Sequence, residues 1–146
     1  MAWLLDPNVQ SELRKPQPAQ SVVTFVTSEP LRDLYVSIVS FAEIRFGIEL
    51  VSDPVRRFEL GAWLSRTVRP MFKNRTLPVT EDIMVKWRLL VEDGRKSGHT
   101  FSQPDLIIAA TALQHGLTVV TRNSSDFDKT HVPIFNPWDG TGAGKQ

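Results

Sequence analysis

The chain has 146 residues, of which 17 are Lys or Arg and 16 are Asp or Glu, so its formal net charge is +1. This length predicts one domain, and the near balance of charge excludes a protein that coats nucleic acid through a strongly basic surface. The sequence has no cysteine, which excludes disulfides, cysteine-ligated metals and a cysteine nucleophile. No apolar run is long enough to span a membrane and no signal peptide is recognisable, so we expect a cytoplasmic protein.

Short apolar runs alternate with longer helical patterns along the chain. Strands are predicted at 3–5, 33–37, 76–79, 117–121 and 132–135. Helices are predicted at 18–29, 38–51, 54–69, 80–97 and 103–115. Pro70 is expected to end the third helix, because proline lacks the N–H group that a helix interior requires. The alternation predicts an α/β sandwich, with helices on both faces of a mainly parallel sheet of about five strands.

Four carboxylates fall near one edge of this predicted sheet. In such sheets ligand sites lie beyond the carboxyl ends of the strands, and the acids near that edge are Asp6, Glu43, Asp105 and Asp126. Four carboxylates this close do not all ionise readily without cations, because like charges raise one another's pKa. Oxygen ligands suit hard divalent cations, so the cluster predicts a site for Mg²⁺ or Mn²⁺. Two such ions about 4 Å apart can activate a water and stabilise the leaving oxygen in phosphodiester cleavage.

Two of these acids, one after the first strand and one after the fourth, also have a purely structural interpretation. Asp6 followed by Pro7 is typical of a helix N-cap and the first helical position. Asp126 ends an Asn-Ser-Ser-Asp segment that is typical of a turn, and Asp128 is a competing loop acid close by. The residues alone leave these alternatives open.

The two acids near helix starts have a structural alternative as well. Glu43 follows Ser40 by three residues and Asp105 follows Ser102 by three, which is the spacing of a capping box. For Glu43 this requires a helix that begins as late as Ser40. The helical neighbours of both acids are apolar, which indicates that neither lies on an ordinary solvated face.

Four segments of the chain carry a resemblance to a known family. They are LLDPNV at 4–9, SIVSFAEIRFG at 37–47, DLIIAATA at 105–112 and TRNSSDF at 121–127, with NPW following at 136–138. In this order and spacing they resemble the PIN-domain ribonucleases, in particular the VapC/FitB-like toxins of type II toxin–antitoxin pairs. The resemblance covers residues 2–138, and we expect a nuclease domain over 1–138 followed by a flexible tail over 139–146.

The resemblance implies a fold, an activity and partners. The fold is a PIN-like three-layer α/β/α sandwich, and the activity is that of an endoribonuclease dependent on Mg²⁺ or Mn²⁺. Its catalytic and metal-binding positions fall on Asp6, Glu43, Asp105 and Asp126, and the polar residues that support the pocket fall on Asn8 and Asn123. It also implies a homodimer and a cognate antitoxin that inserts a segment into the active site.

One motif departs from the family pattern. Where the family commonly has Thr or Ser between the first Asp and the Asn, this chain has Pro7, which lacks both the hydroxyl and a backbone donor. An alternative function is therefore a catalytically weakened PIN-fold protein that still binds an antitoxin or RNA. A phosphoacceptor signalling domain is a further alternative, disfavoured because only one acid follows the first strand.

Basic residues supply candidate contacts to an RNA strand. Arg14, Lys15 and Arg122 lie near the expected site and are predicted to bind RNA. Residues 54–75 carry six basic side chains and one acidic side chain. This stretch indicates either a solvated helix face or a surface for RNA or an acidic antitoxin. Because the rest of the chain is net negative, the near-zero total is a cancellation that still permits a localised cutting site.

Overall fold

The computed structural model describes residues 1–99 and 102–142, and a six-stranded sheet forms its centre. The strands are β1 (Trp3–Leu5), β2 (Leu34–Ser37), β3 (Thr76–Leu77), β4 (Thr118–Val120), β5 (Ile134–Asn136) and β6 (Thr141–Gly142). Their order across the sheet is β3-β2-β1-β4-β5-β6. The first five strands pair in parallel, while β6 pairs antiparallel to β5. The mainly parallel sheet is thus confirmed, with one strand more than the five that the apolar runs indicate.

Helices connect the parallel strands. They are α1 (Pro7–Arg14), α2 (Gln20–Ser28), α3 (Ile38–Glu49), α4 (Pro54–Trp63), α5 (Arg69–Met71), α6 (Glu81–Lys96) and α7 (Gln103–His115). The predicted helices at 18–29, 38–51, 80–97 and 103–115 are confirmed to within two residues at each end. The set of predicted helices omits α1, because only Val9 and Leu13 supply apolar periodicity in this short polar segment.

The prediction that Pro70 ends the third helix is wrong. The chain continues from α4 through a π-helical turn, Leu64–Val68, into α5. Within this turn the N–H of Arg69 donates to the carbonyl of Leu64, one residue further back than in an α-helix. Pro70 lies within α5, and the helix ends one residue later at Met71.

The sheet is buried on both faces, which makes the three layers of the sandwich. Trp3 and Leu5 pack into one apolar cluster with residues of α1, α2 and α3. Leu4 points the opposite way and packs with residues of α6 and α7. Burial on both faces explains why the strands are continuous apolar runs in the sequence and do not alternate with polar residues. In the described part of the chain, no helix is both long enough and apolar enough to cross a membrane.

The strand order determines where the candidate site lies. Because β1 lies between β2 and β4, the chain leaves three neighbouring parallel strands at one edge of the sheet. Leu5 pairs with Val120, so Asp6 and Thr121 leave β1 and β4 side by side. The last strand, β6, falls within the predicted flexible tail, and the final part of that tail, 143–146, lies outside the described residues.

Candidate active site

Asp6 is the first residue after β1 and is almost fully buried, with 4% of its surface exposed. Its backbone is extended, and its N–H donates to the carbonyl of Val120 at 2.9 Å. Its side chain makes no cap hydrogen bond to α1, and its Oδ2 accepts a hydrogen bond from Thr121 Oγ1 at 2.8 Å. The N-cap interpretation therefore holds for the backbone of Asp6, while its carboxylate points to the end of β4.

The ionised form of Asp6 is unfavourable in this environment. Burial raises the pKa of the Asp6 carboxyl to about 7. The hydrogen bond from Thr121 lowers this pKa, while the charges of Asp105, Asp126 and Glu43 raise it further. The carboxylates predicted from the sequence are thus close enough to repel one another.

Glu43 lies half-buried on α3, directly after β2. The helix begins at Ile38, and the Oγ of Ser37 accepts a hydrogen bond from the N–H of Val39 at 3.1 Å. Ser37 is therefore the N-cap, and the interpretation of Glu43 as half of a capping box with Ser40 is wrong. Nothing in the helix start accounts for a carboxylate at this position.

Asp105 lies half-buried in the first turn of α7. Ser102 is the N-cap residue, but its side chain accepts no hydrogen bond from the helix backbone, so the proposed capping box is not formed. Burial raises the pKa of Asp105, as do the charges of Asp126 and Glu43, while a hydrogen bond from Ser102 lowers it. Since α7 continues with the buried residues Leu106 and Ile108, the helix sets this carboxylate at the end of an apolar seam.

Asp126 lies in a 3₁₀ helix, Ser124–Thr130, which follows β4. Its N–H donates to the carbonyl of Asn123 at 3.0 Å, so the turn interpretation holds for its backbone. Its side chain is exposed, but its charge still raises the pKa of both Asp6 and Asp105. Asp126 therefore belongs to the acidic group electrostatically and lies at its more open side.

A cleft of about 210 Å³ brings most of the predicted site residues together. It is lined by Asp6, Pro7, Asn8, Glu43, Ser102, Pro104, Asp105, Ile108 and Asn123. Asp126 is the one predicted acid that does not line it. Pro7 presents an apolar ring to this cleft at the position where the resembling family has a hydroxyl.

Thr121 organises the polar residues beneath the cleft. Its fully buried hydroxyl donates to Asp6 and accepts the N–H of Asn123 at 3.0 Å, and the Nδ2 of Asn8 lies 3.4 Å from the same oxygen. Sequence reasoning missed Thr121 because it ended a β-branched run and was assigned to the fourth strand. The available signal was its position, since it is the polar residue at the carboxyl end of a strand next to β1.

The side-chain oxygens of the cleft suit a hard cation, although in this structure they do not surround a single position. Among residues 1–99 and 102–142, no three His, Cys, Asp or Glu side chains are arranged to hold one ion. The cleft nevertheless offers only oxygen ligands of the kind that Mg²⁺ prefers, and the Oδ1 of Asn8 is buried without a hydrogen-bond partner. A cation would also relieve the repulsion that raises the pKa of Asp6.

The three predicted RNA-binding cations have different surroundings. The Nζ of Lys15 forms an ion pair with Glu12 at 2.9 Å. The Cζ of Arg14 lies 5.7 Å from the ring centroid of Trp63, and Arg14 lines a second groove beside the acidic cleft. Arg122 is exposed next to Thr121 and lies over the ring of Trp138.

The three-layer sandwich, with acidic residues at the carboxyl edge of its parallel strands, is the architecture that the sequence motifs predicted. Comparison with known families leads to the same assignment. A model of the PIN domain matches residues 4–132, so the chain belongs to the PIN domain family. Within it, the chain is 37% identical to the toxin FitB of Neisseria gonorrhoeae over 92% of its own length and 97% of that protein. It is 35% identical to the VapC ribonuclease Y4jK of Sinorhizobium fredii, over 93% and 97% of the two chains.

A solved structure shows the same kinship. The crystal structure of FitAcB from Neisseria gonorrhoeae superposes with a TM-score of 0.87 at 37% identity, covering 93% of this chain and 98% of that one. The predicted PIN fold and the resemblance to VapC- and FitB-like toxins are confirmed.

Proposed function

We propose that this protein is an endoribonuclease dependent on Mg²⁺ or Mn²⁺, and that it acts as the toxin of a type II toxin–antitoxin pair. The observation that carries the proposal is the buried carboxylate of Asp6, which has three further carboxylates around it and no cation among its partners in the described structure. The names of two relatives support the proposal, since one is a toxin and the other is a ribonuclease.

Asp6, Glu43, Asp105 and Asp126 would hold the metal. When bound, the metal supplies an activated water and stabilises the oxygen that leaves the phosphate. Hydrolysis of this kind leaves a 5′-phosphate and a 3′-hydroxyl. Glu43, which is half-buried on α3 and reaches the cleft, completes the acidic group and orients the attacking water.

The polar residues below the acids keep them in place. Thr121 fixes one oxygen of Asp6 through its hydroxyl, and Asn8 and Asn123 hold the threonine in turn. Because the Thr121 hydroxyl donates to the carboxylate, it favours the ionised form of Asp6 that a cation requires. Asn8 also brings an unpaired buried oxygen to the cleft wall.

The partners follow from the toxin assignment. An antitoxin would block the acidic cleft, and the active protein would be a homodimer in the cytoplasm, where RNA is available. The alternative is a catalytically weakened member that binds its antitoxin or RNA without cutting. It is favoured by the ring of Pro7 in the cleft wall, which provides no hydroxyl.

Cleavage of purified RNA tests the proposal. The parent protein is expected to cut RNA in the presence of Mg²⁺ or Mn²⁺ and to lose cutting when EDTA is added. Asp6→Asn is expected to abolish cutting, whereas the matched control Asp128→Asn, at an exposed acid in the same 3₁₀ helix as Asp126, is expected to cut like the parent. If Asp6→Asn cuts as fast as the parent, the proposed site is wrong. If the parent binds RNA but does not cut it with either metal, the weakened-member alternative is correct.

A further inference from the structure

Two arginines lie over tryptophan rings near the acidic cleft. The guanidinium carbon of Arg14 is 5.7 Å from the ring centroid of Trp63, and that of Arg122 is 5.5 Å from the ring centroid of Trp138. Both tryptophans are half-buried and pack against the apolar cluster on the α1–α3 face of the sheet. Each indole is therefore held by the core and in turn restricts the guanidinium that lies over it.

The two arginine–tryptophan pairs stand on opposite sides of Asp6. Arg14 lines a groove with Asn8, Glu43 and Trp63, which places the first pair on the side of α3 and hence of β2. Arg122 follows β4 directly, on the other side of β1. Because Asp6 leaves β1, the strand between β2 and β4, it lies between the two pairs in the order of the strands.

The second pair is held in place by Asn136, the last residue of β5. The Nδ2 of Asn136 donates to the carbonyl of Arg122 at 3.3 Å, and its Oδ1 accepts the N–H of Trp138 at 2.8 Å. Asn136 thus connects the backbone on both sides of the pair. The carbonyl of Trp138 also accepts a hydrogen bond from Ser21 Oγ at 3.5 Å, which ties the segment to α2.

The third predicted RNA-binding cation is engaged differently. Lys15 donates to Oε1 of Glu12, whose other oxygen accepts the N–H of Ala19 at 2.8 Å. This arrangement closes the loop between α1 and α2. Lys15 serves that loop, whereas Arg14 and Arg122 form no ion pair with a carboxylate in the described structure.

We propose that the two arginine–tryptophan pairs bind the phosphates on either side of the cleaved one, so that a single RNA strand crosses the acidic cleft. This inference rests on the proposed nuclease function. A guanidinium presents a fork of donors that matches phosphate oxygens, and an indole beneath it limits the freedom that binding would remove. Because the cleft itself is acidic, a phosphate chain needs cationic anchors on both sides to pass over it.

RNA fits the pairs better than an acidic protein segment does. An unpaired base stacks readily on a guanidinium plane, and in each pair the guanidinium is supported from below by the indole. A duplex keeps its bases stacked on one another, so it gains nothing from these surfaces. The pairs therefore favour an unpaired segment, such as a loop within a structured RNA.

Binding of a fluorescent ten-nucleotide single-stranded RNA to the Asp6→Asn protein, followed by anisotropy in Mg²⁺ at several salt concentrations, tests the inference. In that background Arg14→Ala and Arg122→Ala are each expected to weaken binding and to reduce the slope of log affinity against log salt by about 0.7, the value for one phosphate on a single strand. The double variant is expected to lose about twice as much slope. Arg95→Ala, which removes a cation on α6 that pairs with Glu92, is the control and is expected to leave the slope unchanged.

The tryptophans act through the arginines, and their test isolates that role. Trp63→Leu and Trp138→Leu are expected to weaken RNA binding, while Trp63→Phe and Trp138→Phe, which keep a ring, restore most of it. Combining Trp63→Leu with Arg14→Ala is expected to weaken binding no further than Arg14→Ala alone, because the two residues form one unit. A Trp63→Leu effect that adds fully to that of Arg14→Ala would show that the indole has only a structural role.

Three outcomes overturn the inference. The first is an unchanged salt slope in both arginine variants while the parent still cuts RNA, which leaves the nuclease function standing. The second is equal affinity for a blunt RNA duplex of the same sequence. The third is that the arginine variants lose binding to a deca-aspartate peptide but keep their binding to RNA, which would assign the pairs to an acidic protein partner. Conversely, the salt slopes of the arginine variants could fall as expected while the parent cuts no RNA. That result would refute the proposed function and leave the RNA-binding pairs standing.

Discussion

Replacing Asp6 by asparagine is expected to stabilise the metal-free protein. The Asp6 carboxyl is 4% exposed, and burial raises its pKa from 3.8 to about 7. The folded state therefore holds this proton more tightly than the unfolded state, and ionisation favours unfolding. The contribution of this group to stability is greatest at low pH and is lost as the pH rises from about 4 to about 7. Asparagine carries no charge and still offers an oxygen to the hydroxyl of Thr121.

The size of the effect follows from the difference in pKa. One unit of pKa corresponds to about 1.4 kcal/mol, so a rise of the size seen at Asp6 corresponds to roughly 4 kcal/mol above pH 8. The difference in free energy of unfolding between Asp6→Asn and the parent is then about 1 kcal/mol at pH 4.5, about 3 kcal/mol at pH 6 and about 4 kcal/mol at pH 8. The other carboxylates titrate in both proteins, so their effects largely cancel in the difference.

Urea denaturation in EDTA at these three pH values measures the difference. Asp128→Asn, which changes an exposed acid, is expected to stay within about 0.5 kcal/mol of the parent at each pH. Adding Mg²⁺ is expected to stabilise the parent but not Asp6→Asn, and so to reduce the gap. A gap that does not change with pH, or an asparagine variant less stable than the parent at pH 8, would refute the electrostatic reasoning.

Three further predictions follow from individual contacts. Thr121→Val removes the hydroxyl that lowers the pKa of Asp6, so the rise of the cleavage rate with pH is expected to move to higher pH. The free energy of unfolding is expected to fall by about 1–3 kcal/mol. A pH–rate profile that does not move would contradict this prediction. Pro7→Ser restores a hydroxyl in the cleft and is expected to raise the cleavage rate at fixed Mg²⁺, while losing about 0.4–1 kcal/mol of stability in urea denaturation through greater freedom of the unfolded chain. Glu12→Gln weakens the bonds to Ala19 and Lys15, which lower the pKa of Glu12. The melting temperature of Glu12→Gln is therefore expected to lie below that of the parent at pH 7, and the two melting temperatures are expected to converge as the pH falls below about 4. A difference in melting temperature that is as large at pH 3.5 as at pH 7 would count against this prediction.

The sequence was most informative where local pattern and tertiary structure agree. Apolar runs such as 117–121 identify strands of a sheet covered on both faces, because burial on both sides removes polar alternation. The positions of Asp6 and Asp105 relative to a strand end and a helix start follow from the same pattern. The capping-box interpretation of Glu43 stayed open, since Ser40 and Glu43 have the right spacing and only the hydrogen bond from Val39 to Ser37 excludes it.

Contacts between distant parts of the chain were beyond sequence reasoning. The hydrogen bond from Thr121 to Asp6 depends on β4 pairing with β1, and the contact of Arg14 with Trp63 joins side chains of α1 and α4. The π-helical turn before Pro70 was equally hidden, because a proline in a helical pattern normally indicates an end. For the contacts of Thr121 with Asp6 and of Arg14 with Trp63, the decisive partner lies far along the chain and leaves no local periodicity.

The burial and the charge repulsion that make ionised Asp6 unfavourable in the metal-free protein also favour a cation in the cleft. Asp6 is buried with one hydroxyl donor, and the three other carboxylates near it all oppose its charge. A divalent ion that binds the folded state alone stabilises it in proportion to the logarithm of its concentration over its dissociation constant. A cation at the proposed site would recover stability that is lost at neutral pH, and this gain would fall as the pH decreases, because the proton on Asp6 competes with the cation. An uncharged residue at position 6 would give a more stable metal-free protein, but it would remove the most buried carboxylate of the proposed metal site.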